Sequence, residues 1–143
     1  MNKVLIIGCG HMGSALLEAW QKLKTYQFTV VDPLNYKLVK KKFSSKKIIV
    51  KKSVKDLNRI LIYDLILIAV KPQVIDSVLS EYKSLKFKKS SVVISIVAGK
   101  KLDFFKKKLV FSKQIIRVMP NMPALIKKGV SCLLANKHVS VTN

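Results

Sequence analysis

The chain has 143 residues, of which 50% are hydrophobic, and it carries 28 Lys or Arg against seven Asp or Glu. This length suits one domain with its own core, and the hydrophobic content excludes a disordered chain. No apolar run approaches the roughly 20 residues that a membrane-spanning helix requires, so we expect no membrane partner.

The net charge of +21 raises the question of nucleic-acid binding. Only Arg59 and Arg117 are arginine, and the lysines are scattered along the chain. Proteins that read nucleic acids usually depend on arginine for bidentate contacts to bases and phosphates. We therefore expect a solvated lysine surface without a specific nucleic-acid partner. An attraction for small anions, such as a nucleotide, is an alternative.

Two cysteines, Cys9 and Cys132, lie far apart in the sequence, and no CxxC pair suggests a metal site. We expect both to be reduced thiols in a cytoplasmic protein. The first predicted strand begins almost at Met1, so we expect no secretory signal before it.

Apolar runs and helical periodicity alternate along most of the chain. This order predicts an α/β fold of the Rossmann type, with a doubly wound, mostly parallel sheet. Residues 1–124 form the predicted dinucleotide-binding domain, and residues 125–143 hold a final strand and a tail. Strands are predicted at residues 3–7, 28–31, 48–50, 65–70, 91–97, 115–119 and 130–135, and helices at residues 11–24, 36–43, 54–61, 72–82 and 102–109.

A GxGxxG motif, from Gly8 to Gly13, connects the first strand to the first helix. This context is typical of a turn that holds the pyrophosphate of a dinucleotide. The first glycine allows the tight turn, Gly10 lets the pyrophosphate approach the backbone, and Gly13 lets the helix pack on the strand. The phosphates would then meet free N–H groups at a helix N-terminus. The alternative is a glycine turn that serves packing alone.

Asp32 ends the second strand, 19 residues after Gly13. An acid at this position accepts hydrogen bonds from the adenosine ribose and disfavours a 2′-phosphate, so we expect NADH to be preferred while NADPH stays possible. The alternative is an ordinary turn aspartate before a proline. Four lysines that could neutralise a phosphate follow closely: Lys37, Lys40, Lys41 and Lys42.

Three further segments follow predicted strands at the carboxyl edge of the sheet, where ligands bind in open parallel sheets. Lys71, in Ala69–Pro72, could face a cofactor or an acidic substrate, or be one more surface lysine. Small residues in Ser95–Gly99 would leave space for a nicotinamide. Asn121 is a weak candidate for substrate contact, with a proline-rigid loop as the alternative, and Arg117 is a candidate structural residue.

No Ser–His–Asp set, acid pair or metal cluster is evident, and the catalytic residues stay unknown. This absence suits hydride transfer, in which the cofactor carries the difficult step. His11 lies in the glycine turn, where backbone packing or cofactor contact is the expected role.

Together these segments resemble pyrroline-5-carboxylate reductase over nearly the whole chain. The family combines a GxGxMG turn with the patterns AVKP, SxxAG and RxMPNxPA in this order, which stand here at residues 8–13, 69–72, 95–99 and 117–124. The resemblance implies hydride transfer from NAD(P)H to a cyclic imine, pyrroline-5-carboxylate, in proline biosynthesis. The residues expected to contact the cofactor, from motif and resemblance together, are Ile7, Gly8, Cys9, Gly10, His11, Met12, Gly13, Asp32, Ala69, Val70, Lys71, Pro72, Ile96, Val97 and Ala98.

The family also carries a second, helical domain that builds the dimer and most of the substrate pocket. These 143 residues resemble the cofactor half alone, which is interpreted as a fragment or a truncated reading frame. We therefore expect little turnover from these 143 residues, and a homo-oligomer only where the second domain is present. Two alternatives are a non-catalytic dinucleotide-binding module and a β-hydroxyacid-dehydrogenase-like enzyme. The latter shares the GxGxMG turn but would carry a glycine-rich segment where RVMPNMPA stands.

Overall fold

A seven-stranded sheet organises the chain. Its strands are β1 (Asn2–Ile7), β2 (Tyr26–Val31), β3 (Ile48–Lys51), β5 (Leu65–Ile68), β7 (Val92–Ser95), β8 (Gln114–Pro120) and β9 (Ser131–Ala135), and they lie in the order β3-β2-β1-β5-β7-β8-β9. It comes from a computed structural model that describes residues 1–58, 60–109, 112–121 and 128–140. All neighbouring strands pair in parallel except β8 and β9, which are antiparallel. The predicted doubly wound, mostly parallel α/β fold is confirmed.

In the part of the chain that the structure describes, four helices alternate with these strands: α1 (His11–Trp20), α2 (Tyr36–Lys42), α3 (Ile75–Glu81) and α4 (Leu102–Lys108). Within the described ranges, none of them is long and apolar enough to cross a bilayer.

Two apolar clusters cover the two faces of the sheet, because successive strand residues point to opposite sides. On one face Leu5 and Ile7 of β1 pack with Ile75 and Leu79 of α3. On the other face Val4 and Ile6 pack against Leu17 of α1 and residues of β2. The central strands β1 and β5 are buried on both sides, which explains their continuous apolar sequences.

The predicted helix at residues 54–61 is wrong. Ser53 and Asp56 form a capping box, but it closes only a single 3₁₀ turn, Val54–Asp56. Leu57 is already extended (φ −88°, ψ 151°), and β4 (Ile60–Leu61) pairs in parallel with β6 (Lys86–Phe87) as a separate two-stranded ribbon. Packing of Val54 and Leu57 on the core, rather than helical periodicity, accounts for the apolar residues here.

Two further helix boundaries differ from expectation by three residues or more. Pro72 does not begin α3: it lies in a turn, and the helix starts at Ile75 after Val74 at the N-cap. The first helix ends at Trp20, four residues earlier than the periodicity predicts. Part of the predicted proline loop and the end of the tail, residues 122–127 and 141–143, lie outside the described residues.

Side-chain hydrogen bonds link five adjacent strands at one end of the sheet, which holds the amino ends of β1, β5, β7 and β8 and the carboxyl end of the antiparallel β9. Ser91 and Asn136 are buried in this row, where each unpaired polar group would be costly. The bonds run from Lys3 N to Asp64 Oδ2 (2.8 Å), from Ser91 Oγ to Tyr63 O (2.7 Å), from Ser112 Oγ to Ser91 O (2.7 Å) and from Asn136 Nδ2 to Lys113 O (2.7 Å).

Candidate functional site

The glycine turn between β1 and α1 requires glycine at two positions because of its own backbone. Gly8 has φ +86°, and a Cβ there would lie 2.7 Å from Val70 Cγ1. A Cβ on Gly13 would lie 2.7 Å from the carbonyl oxygen of Gly8. Both contacts are shorter than real Cβ contacts allow, so glycine at these positions lets the turn approach the segment after β5 and lets α1 pack against the turn.

Gly10 differs from the other two glycines. Its φ of −72° is open to any residue, and apart from its chain neighbours no atom of the described residues lies within 4 Å of a Cβ built on it. Gly10 is the N-cap of the ten-residue helix α1, and no side chain caps this helix end. The first-turn N–H groups have no carbonyl partner within a helix, so this open space carries the positive end of the helix dipole. An anion would fit there.

Asp32 fastens the glycine turn to the end of β2. Its carboxylate is 5% exposed. Oδ2 accepts hydrogen bonds from the N–H of Cys9 (2.6 Å) and from Asn35 Nδ2 (3.0 Å). Oδ1 accepts from the N–H groups of Leu34 (3.0 Å) and Asn35 (2.7 Å). The four donors match the acceptor capacity of a carboxylate, so in this structure Asp32 holds the turn and the following loop together.

A cavity of about 290 Å³ opens beside the turn. Its walls come from the glycine turn, the loop after β2, the segment after β5 and one side of α3, and they are mostly apolar. It lies at the carboxyl ends of β1 and β5, whose connections run to opposite sides of the sheet. Such a switch point is where open α/β sheets bind ligands. The wall includes Gly10, Asp32, Leu34, Val54, Val70, Lys71, Val74, Val78, Glu81 and Tyr82.

Seven of the predicted cofactor residues meet in this wall: Ile7, Gly8, Gly10, Asp32, Ala69, Val70 and Lys71. The side chain of Cys9 points the other way, into the core between α1 and the sheet. Burial, followed by the charge of Asp32, raises the pKa of this thiol to about 12. His11 is exposed on the first turn of α1, and Pro72 lies in the turn before α3; neither belongs to the wall.

The segment after β7 reaches the same edge of the sheet but not this cavity. Val97 is buried in the core, Ile96 packs against the opposite core face, and Ala98 is exposed. The Arg117 guanidinium donates a hydrogen bond to the carbonyl oxygen of Val97 and lies 5.6 Å from the ring of Phe105, which supports its structural role.

Asn121 closes the β8–β9 hairpin. Its Oδ1 accepts a hydrogen bond from the N–H of Val130 (3.0 Å), and its own N–H donates to the carbonyl oxygen of Val130 (3.3 Å). The first of these bonds uses the side-chain oxygen of the amide that the sequence offered to a cofactor or substrate.

Several wall residues were missed by sequence reasoning. Val78 and Tyr82 stand out in the sequence only as inward positions of a helix, and nothing marks them as lining a cavity rather than a core. Among the described residues, no group of three or more His, Cys, Asp or Glu could hold a metal ion. Cys9 and Cys132 are both free thiols.

Comparison with known proteins gives consistent results. A family model described as "NADP oxidoreductase coenzyme F420-dependent" matches residues 3–99. The chain is 36% identical to pyrroline-5-carboxylate reductase of Escherichia coli (strain K12), over 97% of this chain and 51% of that protein. The corresponding reductase of Methanosarcina acetivorans is 31% identical over the same shares. This chain therefore spans about half the length of the curated relatives it matches.

Solved structures agree with the sequence matches. A pyrroline-5-carboxylate reductase from Coxiella burnetii superposes with a TM-score of 0.80 at 25% identity, over 97% of this chain and 51% of that one. The Plasmodium falciparum reductase, solved with NADP bound, gives a TM-score of 0.70 at 27% identity, over 99% and 50%. The predicted resemblance is thus confirmed, and the chain belongs to the NADP oxidoreductase, coenzyme F420-dependent family.

Proposed function

We propose that this chain binds a nicotinamide dinucleotide, with the pyrophosphate over the glycine turn and the adenosine end in the adjoining cavity. Gly10 carries the proposal. Neither its backbone conformation nor a neighbouring protein atom requires a glycine, so space for a ligand explains it best. The uncapped N-terminus of α1 supplies N–H donors for phosphate, and the apolar cavity beside it suits the adenosine end.

The proposed reaction is reduction of pyrroline-5-carboxylate to proline, as in the relatives named for it. A reduced nicotinamide supplies the hydride. This chain's residues would bind and orient the dinucleotide, with Ala69–Pro72 and Ile96–Ala98 along the path from the turn toward the nicotinamide. Because the relatives are about twice as long, we propose that these 143 residues alone bind the dinucleotide with little turnover. A rate within the usual range for enzymes, about 1–10³ s⁻¹, would contradict this.

We propose that NADH binds more tightly than NADPH. The buried carboxylate of Asp32 lies in the cavity wall, and a 2′-phosphate beside it would meet a like charge. Two lysines that could compensate are engaged elsewhere, since Lys40 Nζ bonds the hydroxyl of Tyr36 and Lys42 pairs with Glu18. A ribose hydroxyl would gain Asp32 as acceptor by replacing the side-chain amide of Asn35, the one donor to Asp32 that is not a backbone N–H.

The preference is tested by titrating the parent and Asp32→Ser with both cofactors. The substitution also loosens the turn, but this effect cancels in the ratio of the two affinities, because both cofactors share the pyrophosphate. We expect the ratio to move toward NADPH. A parent that prefers NADPH, or an unchanged ratio in Asp32→Ser, would contradict the proposal.

The central test uses Gly10→Val and calorimetric titration with NADH. The added side chain occupies the proposed phosphate space, and losing hydrogen bonds to a charged group weakens binding by about 10- to 100-fold. Ser14→Val is the matched control, since it places the same side chain on the first turn of α1 but outside the cavity wall. Unchanged affinity in a folded Gly10→Val protein would overturn the site.

The remaining proposals concern compartment and partners. The two free thiols support a reducing compartment, the cytoplasm. We propose no specific nucleic-acid partner: any duplex binding should be lost between about 50 and 200 mM salt. A homo-oligomer is proposed only for proteins that also contain the relatives' second half.

A further inference from the structure

Glu81 differs from the other acidic residues of this lysine-rich chain. Six of the seven acids pair with a lysine or accept a hydrogen bond from a backbone N–H: Glu18, Asp32, Asp56, Asp64, Asp76 and Asp103. No hydrogen bond or salt bridge to another described residue is found for the carboxylate of Glu81. The residue is also exposed, so its carboxylate oxygens can accept hydrogen bonds from a ligand.

The position of Glu81 on α3 directs its side chain to the cavity beside the glycine turn. Val74, Val78 and Glu81 are separated by four and then three residues, so they form one stripe along the helix. All three residues line the cavity. The stripe therefore changes from apolar to acidic at Glu81, about 10 Å along the helix axis from Val74.

Glu81 lies at the end of the cavity that is remote from the glycine turn. Val70, just before α3, lies against Gly8, so the helix begins near the turn. Glu81 and Val54 also line a second groove, and no residue of the glycine turn belongs to that groove. With the pyrophosphate over the turn, the base at the other end of the adenosine would reach the part of the wall that holds Glu81.

We propose that the carboxylate of Glu81 selects adenine as the base of the dinucleotide by accepting a hydrogen bond from its exocyclic amino group. The side chains of Val54, Val74 and Val78 contact the faces of the ring, and its amino edge meets the carboxylate. Hypoxanthine carries a carbonyl oxygen in place of the amino group, so it would bring an acceptor against an acceptor. This inference rests on the proposed dinucleotide site and adds the residue that chooses the base.

The test is calorimetric titration of the parent and of Glu81→Gln with NADH and with reduced nicotinamide hypoxanthine dinucleotide. The two ligands carry the same charge and differ only in the base. The parent should bind NADH more tightly by about three- to tenfold, the worth of one hydrogen bond. In Glu81→Gln the side-chain amide donates as well as accepts, so this ratio should fall toward one. The lost charge acts equally on both ligands and cancels in the ratio.

Asp76→Asn is the matched control, because it removes the same charge from an exposed position on α3 that lies outside the cavity wall. It should keep the ratio of the parent. Equal affinities of the parent for the two ligands, an unchanged ratio in Glu81→Gln, or the same shift in Asp76→Asn would overturn the base-selecting role. The dinucleotide site would still stand in these cases if Gly10→Val weakens NADH binding. If the parent binds neither ligand, both proposals fail.

Discussion

Replacing Asp32 with Asn tests whether this carboxylate holds the glycine turn in place. The amide keeps one acceptor oxygen and turns the other into a donor. In either orientation the NH₂ group of the amide faces two donors. At the Oδ2 position these are the backbone N–H of Cys9 and the side-chain amide of Asn35. At the Oδ1 position they are the backbone N–H groups of Leu34 and Asn35. At least one backbone N–H therefore loses its acceptor.

The expected cost follows from these bonds. A hydrogen bond to a charged group contributes about 1.5–3 kcal/mol, and a buried donor left without a partner costs about 1–3 kcal/mol. Because the loop can relax, we expect the free energy of unfolding to fall by about 2–4 kcal/mol, a large part of the 5–15 kcal/mol typical of a domain. Asp32→Asn keeps the shape of the side chain, so the loss reports hydrogen bonding rather than packing.

Urea unfolding without ligand measures this difference, provided that the slope with denaturant is unchanged. Asp56→Asn is the control, since exposed Asp56 accepts one backbone hydrogen bond, from Ser53 (3.0 Å), and should cost clearly less. If Asp32→Asn is no more destabilising than Asp56→Asn, the carboxylate does not anchor the turn.

Three further outcomes are expected. Gly13→Ala should lower the unfolding temperature more than Gly10→Ala, because its Cβ would lie 2.7 Å from the carbonyl oxygen of Gly8; equal temperatures would contradict the packing argument. Iodoacetamide at pH 8 should label the exposed Cys132 and not Cys9, because a pKa of about 12 leaves almost no thiolate at Cys9. Mass spectrometry of the peptides shows which cysteine is labelled, and labelling of Cys9 but not of Cys132 would contradict this expectation. Hydrogen bonds from a lysine and a backbone N–H lower the pKa of Asp64 below 3.8. The stability that the Asp64 carboxylate contributes is present above about pH 4 and is lost on further acidification. Between pH 4 and 2 the free energy of unfolding should therefore fall less for Asp64→Asn than for the parent. Circular dichroism follows this unfolding.

The strands could be predicted because a strand that is buried on both faces has consecutive apolar residues. Residues 65–68 are apolar without interruption, and the structure buries β5 on both faces. Residues 54–61 misled the prediction, since a capping signal followed by spaced apolar residues is the same for a helix and for a 3₁₀ turn that leads into a short strand. Long-range packing decides between these two structures, and the periodicity of the sequence carries no information about such packing.

The site was predictable where the backbone itself dictates residue type. Gly8 and Gly13 follow from steric contacts that any such turn must make. The partners of Asp32 were not predictable, because three of its four donors are backbone N–H groups, one in the glycine turn and two in the loop after β2, and side-chain patterns do not give their directions. Tyr82 reads as a core residue in the sequence, and only the structure shows that its polar end is unpaired.

The row of hydrogen bonds that joins β1, β5, β7, β8 and β9 lies at the end of the sheet opposite the cavity, so strand alignment and ligand binding depend on different ends of one sheet. A slip of one strand by a single residue would reverse which side chains face each core, and the buried bonds of Ser91, Ser112 and Asn136 oppose such a slip. Strand alignment is therefore secured at the end of the sheet opposite the cavity. The carboxyl ends can then keep open N–H groups and small residues, and substitutions that retune ligand choice there need not disturb the alignment of the strands.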